Sequence, residues 1–185
     1  MELKRKNPFA CIEKCPGCVL KDKVRQQVIG RGGVPAKLLY IGEGPGKSED
    51  LLGEPFVGPS GRLLEQIMYD ASVMCGKPIS SYYVTNVVLC RPWIFDERDE
   101  DYGENREPSK EEVLACMPNI IAIAKIVNPI HVIFVGSVSE KYYRKEFRHS
   151  TRILHPAFHL RYGGTTSPFY HSEVRTLSEV FGGLE

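Results

Sequence analysis

No stretch of this 185-residue chain approaches the roughly 18 consecutive apolar residues that a membrane-spanning helix needs. The basic opening, "MELKRKNPFAC", has no apolar h-region and does not fit a secretory signal. A cytoplasmic location is therefore the default expectation. Charge of one sign is also lacking: 24 Lys and Arg stand against 23 Asp and Glu, a net charge of +1. The total names no polyanionic partner, although a basic face can be hidden within a neutral sum. Internal repeats and low-complexity tracts are absent. The glycine-rich stretch "GEGPG" has neither the Gly-Lys-Ser/Thr ending of a Walker A loop nor the G-x-G-x-x-G spacing, so the two commonest phosphate-cradling loops are excluded.

What is present reads as one α/β domain over 1–185. Apolar content of 42% and charged content of 25% are ordinary for a globular chain. "KLLYIG" (37–42) is an apolar run ending in glycine, a buried strand. Residues 42–61 are rich in glycine and proline and are expected to form one long loop, which in a compact domain is usually functional. A helix over 61–74 places Leu63, Leu64, Ile67, Met68 and Ala71 on one side, with Ser60 as its N-cap. "YYVTNVVLC" (82–90) predicts a second strand, and residues 91–108 a polar, acidic loop. The S-x-x-E of "SKEE" is a capping box opening a helix over 109–128, which Pro118 should bend or divide. A third strand (129–136), a helix (137–147), a short fourth strand (151–155) and a last helix (171–181) follow. Strands alternating with helices imply a parallel sheet covered on both faces. Ligands bind such sheets beyond the carboxyl ends of the strands, which directs attention to "GEGPG", "TNVVLCRP" and "HPAFHLR".

Each of those stretches carries candidates with two readings. Gly44 and Gly46 let backbone approach a ligand closely, or simply make a turn. Phe56, between two glycine-containing turns, either stacks on a flat ring such as a nucleobase or anchors its loop to the core. Asn86, in an apolar strand, must satisfy both a carbonyl and an amide. It bonds neighbouring backbone, or it reads a ligand edge that offers an acceptor beside a donor, as uracil does. His155, held extended by Pro156, either donates to an oxygen that gains charge in a transition state or caps a helix.

Six cysteines in a cytosolic chain are thiols or metal ligands rather than disulfides. "CIEKCPGC" (11–18) has the C-x3-C-x2-C spacing of radical-SAM enzymes, but there the motif follows the first strand of a larger barrel, whereas here it precedes "KLLYIG". Cys15 and Cys18 form a knuckle that aims two thiolates at one point. Cys90 and Cys116 are available to complete a four-thiolate site for an iron–sulfur cluster or zinc. Cys11 and Cys75 remain as ordinary thiols.

Taken together, "KCPGC", "AKLLYIGEGPGKSEDLLGEPFVGPSGRLLE", "YVTNVVLCRP", "PSKEEVLACMPNI" and "HPAFHLR" resemble the family 4, iron–sulfur uracil-DNA glycosylases. The stretches occur in the family's order over roughly 14–162. The resemblance implies a three-layer α/β/α fold on a four-stranded parallel sheet. It assigns a structural 4Fe–4S cluster, in preference to zinc, to Cys15, Cys18, Cys90 and Cys116. It implies catalytic roles for Glu43 and His155, base-binding roles for Gly42, Gly44, Phe56 and Asn86, and DNA containing uracil as the partner of a monomeric, monofunctional hydrolase. Gly44 stands where the better-known branch of the superfamily has an aspartate, so a strong general base is missing. The resemblance does not extend to the covalently trapping branch, whose extra histidine falls within 87–130, where this chain has none.

Two stretches depart from the family's pattern. The 25 residues between Cys90 and Cys116 are an expansion carrying an acidic insert over 96–107. The segment before His155 is short and reads "KYYRKEFRHSTR". Arg144, Lys145, Arg148 and Arg152 there, with Arg161, are candidate contacts to the DNA backbone, or the first four are a solvated helix face. A remodelled rim leaves two other activities open. One is excision of another modified pyrimidine, such as a hypermodified cytosine of phage DNA; the other is DNA binding without catalysis.

Overall fold

A computed structural model describes residues 7–13, 15–94 and 103–184. The acidic run 95–102 of the expected loop lies outside the described residues, as does most of the insert placed at 96–107.

Four parallel strands form the frame. β2 (Leu38–Gly42) pairs with β3 (Tyr82–Asn86) on one side and with β4 (His131–Val135) on the other, and β5 (Ser150–Ile153) extends the sheet beyond β4. A two-residue strand, β1 (Arg31–Gly32), is added antiparallel to the outer edge of β3, giving the order β1-β3-β2-β4-β5. The expected four-stranded parallel sheet is thus present, with one short edge strand added.

The two-residue period of a strand sorts its side chains onto opposite faces, and both faces of this sheet are covered. Leu39 and Ile41 of β2 pack with Ile120, Ile123 and Val127 of α4 (Lys110–Val127) and Tyr143 of α5 (Ser137–Tyr143). Leu38 and Tyr40 pack with Ile67 and Met68 of α3 (Pro59–Cys75) and Leu177 and Phe181 of α7 (Tyr170–Gly183). Burial on both sides explains why the strands read as continuous apolar runs rather than alternating ones. A short helix, α1 (Ala10–Glu13), carries Ile12 into the first of these cores together with Leu20, so the N-terminal segment packs on the exit of β3 around Val88 and Leu89. Among the described residues no helix is long and apolar enough to cross a membrane.

Several expected boundaries shift. The 42–61 stretch is not one loop: it contains α2 (Lys47–Leu52), closed by Gly53 in the left-handed conformation. Helix α3 starts at Pro59 with Gly58 rather than Ser60 as N-cap, because proline at the first helical position has its φ already set and no N–H to satisfy. β3 ends at Asn86, and Val87–Cys90 leave the sheet while staying buried. The capping box at Ser109 and Glu112 opens α4 as expected, with a 3.2 Å bond from the Glu112 N–H to Ser109 Oγ and a 2.8 Å bond back from the Ser109 N–H. Pro118 does not divide α4. The carbonyl it frees belongs to exposed Leu114, on the solvent side of the helix, where water can replace the lost N–H. "HPAFHLR" contains a helix, α6 (Pro156–Arg161), too short to be seen as a periodic pattern.

Tyr40 is fully buried, and its hydroxyl has no hydrogen-bond partner among the described residues. A buried unpaired hydroxyl costs about 1–3 kcal/mol. Tyr40→Phe is therefore expected to stabilise the fold by about 1 kcal/mol, seen as a raised urea midpoint at unchanged slope. A lowered midpoint would show that the hydroxyl is satisfied.

Candidate active site

At the carboxyl ends of the parallel strands the loops enclose a cavity of about 630 Å³. Glu43 and Gly44, Phe56, Asn86, His155 and Arg161 line it. Residues from four separate stretches of the sequence are thus brought to one place, where an open parallel sheet binds its ligands.

Strand register sets the floor. Gly42, the last residue of β2, lies opposite Asn86, the last of β3. A Cβ on Gly42 would stand 2.4 Å from Asn86 Oδ1 and 2.5 Å from Cζ of Phe56, so only glycine leaves room for the amide and the ring together. Asn86 is 2% exposed, and its side-chain amide makes no hydrogen bond among the described residues. An amide held there without protein partners is available to a ligand. The backbone beyond it is fixed by the Val87 N–H bonded to Gly42 O at 3.0 Å.

Phe56 occupies the left-handed region, with φ of 56°, a conformation that a bulky residue adopts only when its surroundings impose it. Two of those constraints are visible. Gly61 gives the Phe56 carbonyl its space, since a Cβ there would lie 1.7 Å from that oxygen. One carboxylate, Glu49 of α2, accepts the N–H groups of Val57 and Gly58 at 3.0 and 3.1 Å and that of Gly46 at 3.1 Å. Glu49 thereby ties the glycine loop to the loop of Phe56. Arg31 on the edge strand adds a bond from Nε to Pro55 O at 3.0 Å. The Phe56 and His155 rings stand 6.3 Å apart, inclined at 33°.

His155 is the N-cap of α6. Its φ of −64° and ψ of 133° are extended, as Pro156 requires. Its Nδ1 accepts the N–H of Ala157 at 3.2 Å. In the neutral ring the proton then resides on Nε2, which is left as the donor. Burial, reinforced by the Arg161 charge, lowers the His155 pKa to about 4, so the ring is neutral at physiological pH. The helix-cap and donor readings of this histidine are therefore both realised, on different nitrogens. Glu43 is shifted the opposite way: burial and then the neighbouring Glu107 charge raise its carboxyl.

The other wall comes from the 91–108 segment, which contributes Pro92, Asn105 and Arg106. Trp93 and Asn105 form an antiparallel bridge. Arg91, only 5% exposed, donates from Nε to Asn105 Oδ1 at 2.7 Å and from a terminal nitrogen to Gly103 O. Arg106 makes a bidentate pair with Glu112, at 2.8 and 2.6 Å.

Of the five cations expected at a DNA backbone, Arg161 alone lines the cavity among the described residues. Helix α5 leaves the carboxyl end of β4 and runs back, so Arg144 bonds Ser150 O at the amino end of β5. Lys145 and Arg148 lie in the connection between them, and Arg152 pairs with Glu140 at 2.9 Å. None of these four lines the cavity.

Cys15, Cys18, Cys90 and Cys116 line a second, small cavity with Leu20, Val88 and Leu89. All are free thiols, whereas Cys11 and Cys75 lie elsewhere. Burial, then Cys116, Cys18 and Cys15, push the Cys90 thiol up to about 12. Burial likewise raises Cys116 to about 11. Among the described residues no three His, Cys, Asp or Glu side chains are set around a single metal ion. The four thiols share the lining of one small cavity, with N–H donors reaching Cys15 Sγ from Gly17 at 3.4 Å and from Asn119 at 3.2 Å. Four thiols lining one cavity are, as a donor set, the kind that a cluster taking one sulfur per iron uses.

The sequence reading missed Glu49, Arg31, Arg91 and the wall residues Asn105 and Arg106. Glu49 had a signal, an acid three residues after the N-cap glycine; the others depend on long-range pairing.

Comparison with known proteins agrees with this architecture. The model of the uracil DNA glycosylase superfamily matches residues 29–176. The type-4 uracil-DNA glycosylase of Saccharolobus solfataricus is 33% identical over 135 residues, covering 73% of this chain and 56% of that protein. That of Thermotoga maritima is 31% identical over 132 residues, covering 71% and 62%. That of Pyrobaculum aerophilum is 36% identical over 130 residues, covering 70% and 59%. The matched part of the chain thus corresponds to 56–62% of the length of these relatives. The family match takes in every residue of the cavity floor and both of its walls, and on that ground the chain belongs to the uracil DNA glycosylase superfamily.

Proposed function

We propose that this protein removes uracil from DNA by hydrolysing its N-glycosidic bond and leaving an abasic site. One observation carries the reading: a neutral His155 whose Nε2–H is free to donate lines the same cavity as an unpartnered amide, Asn86, and a ring held under strain, Phe56. The type-4 uracil-DNA glycosylases to which the chain is similar support the choice of base.

Each residue then has a physical task. The target nucleotide leaves the stack at a cost of a few kcal/mol. Phe56 stacks on the extruded base, and Asn86 offers an acceptor and a donor to its polar edge. As the C1′–N1 bond breaks, its electron pair passes to the base, and charge grows on O2. The Nε2–H of His155 donates to that oxygen; a neutral donor suffices there because the ring is already oriented by its Nδ1 bond to Ala157. A water adds its oxygen to C1′ and gives up a proton. Glu43, raised by burial and by Glu107, is the adjacent acceptor. Arg161, one of the cations lining the cavity, would contact a backbone phosphate. Cys15, Cys18, Cys90 and Cys116 would hold a 4Fe–4S cluster, whose contribution is structural, cross-linking the N-terminal knuckle to the exit of β3 and to α4.

Purified protein is expected to release uracil from oligonucleotides, read as strand cleavage after alkali. Asn86→Ala and His155→Ala should each lower the single-turnover rate by about 10²–10³-fold, as for loss of one donor to a developing oxyanion. Full rates in both variants would overturn the assignment. A panel of duplexes with other modified pyrimidines tests the base: release of one of those in place of uracil would move the reading to that base, and release of none would leave a DNA-binding module.

The His155 shift also sets a stability window. Its folded pKa of about 4 lies below the ordinary value of about 6.5. Between these values the unfolded chain binds a proton that the folded chain does not, so stability is full above pH 6.5 and falls as pH drops toward 4. Half-buried His131 and buried His159 shift in the same direction. His155→Gln should flatten part of that decline, measured as chemical denaturation from pH 7 to 4; an unchanged slope would show that His155 is not held neutral.

A further inference from the structure

We infer that Asn119 is a positioning residue for the thiol site: its side-chain amide clamps Cys15 of the N-terminal knuckle to Cys116 of α4 and presents hydrogen bonds to both sulfurs. This rests on the reading that the four cysteines hold an iron–sulfur cluster.

The geometry is specific. Asn119 Nδ2 lies 3.2 Å from Cys15 Sγ and 3.9 Å from Cys116 Sγ. Asn119 is three residues after Cys116 and so shares its face of α4, whereas Cys15 is 104 residues away in sequence. The two hydrogens of one amide therefore span two segments that the local chain does not connect. A thiol is a weak acceptor, and a metal-bound thiolate is a stronger, charged one. The clamp is accordingly modest in the thiol form and tightens once the sulfurs carry charge. The Gly17 N–H at 3.4 Å supplies a further donor to Cys15 Sγ. Residues that hydrogen-bond ligands orient them and hold the metal, and hydrogen bonds to ligand sulfurs also set cluster potentials. Nothing in the uracil cavity requires Asn119, which does not line it among the described residues.

The test compares wild type with Asn119→Leu, similar in size but without a donor, and Asn119→Asp, which keeps the shape and replaces the donor with a negative charge. Each protein is reconstituted with iron and sulfide. Iron and sulfide content, decay of the visible cluster band under a ferrous chelator, and the midpoint potential are then measured. Asn119→Leu should release iron on the order of tenfold faster, and Asn119→Asp faster still, because its carboxylate repels the thiolates. Both should shift the midpoint potential downward, because the reduced cluster carries the extra charge that the lost donor had stabilised. The thermal midpoints of the iron-free proteins should stay together, which a merely structural role for Asn119 would not give. Iron release and potential equal to wild type in both variants would overturn the inference. A wild-type chain that takes up no iron would overturn the cluster reading and this inference with it, so the two failures are told apart by the iron content of the wild type.

Discussion

The whole cavity depends on a side chain that is missing. At Gly42 the parallel register of β2 and β3 brings Asn86 alongside, and the 42–61 segment returns to lay the edge of Phe56 over the same point. Amide and ring occupy volume that any Cβ would fill. Alanine there would have to displace a strand-end amide or an aromatic ring, each fixed by its own surroundings, and dense packing transmits such a shift rather than absorbing it. The floor of the site is thus specified by backbone register, the most rigid property of a doubly covered sheet.

Around this floor the walls are held by charged groups turned inward on the backbone. Glu49 gathers amide hydrogens from two loops, Arg31 holds the carbonyl of Pro55, and Arg91 holds Gly103 and Asn105. Hydrogen bonds to charged groups are stronger than neutral ones, and each of these fixes irregular chain that has no ladder of its own. The groups proposed to react, by contrast, are neutral or shifted toward neutrality: His155 is held uncharged, and Glu43 is raised. Charge is concentrated in the supports and thinned where the base would sit.

Much of this was legible in the sequence, and the reasons for the rest are physical. The strands, the capping box at Ser109, the knuckle of Cys15 and Cys18, and the convergence of Glu43, Phe56, Asn86 and His155 follow from patterns that are local or that the α/β alternation orders in space. Helix α2 was hidden because six residues between glycines carry too little periodicity, and its caps supply what propensity does not. The left-handed backbone of Phe56 leaves no trace in composition; it results from Gly61 and Glu49 acting together. The wall built from Asn105 and Arg106 required knowing that residue 93 pairs with residue 105. The cations after α5 were expected at the cavity mouth because their number was read without their direction. A helix that follows a parallel strand runs back toward the strand's amino end, and that rule alone places Arg144 and its neighbours at the opposite end of the sheet.

The exit of β3 has a further meaning. Only Val87, Val88 and Leu89 separate Asn86 from Cys90, and all three are buried, with exposures of 0%, 1% and 0%. They are tied at Val87 to Gly42 and Tyr143 and at Leu89 to the N-terminal segment through Val28. This is a short, stiff lever with the Asn86 amide at one end and the Cys90 thiol at the other. Firmness gained at the sulfur end is delivered to the amide without passing through any flexible joint. The four thiols and the cavity floor are thus mechanically one piece, although they line separate cavities.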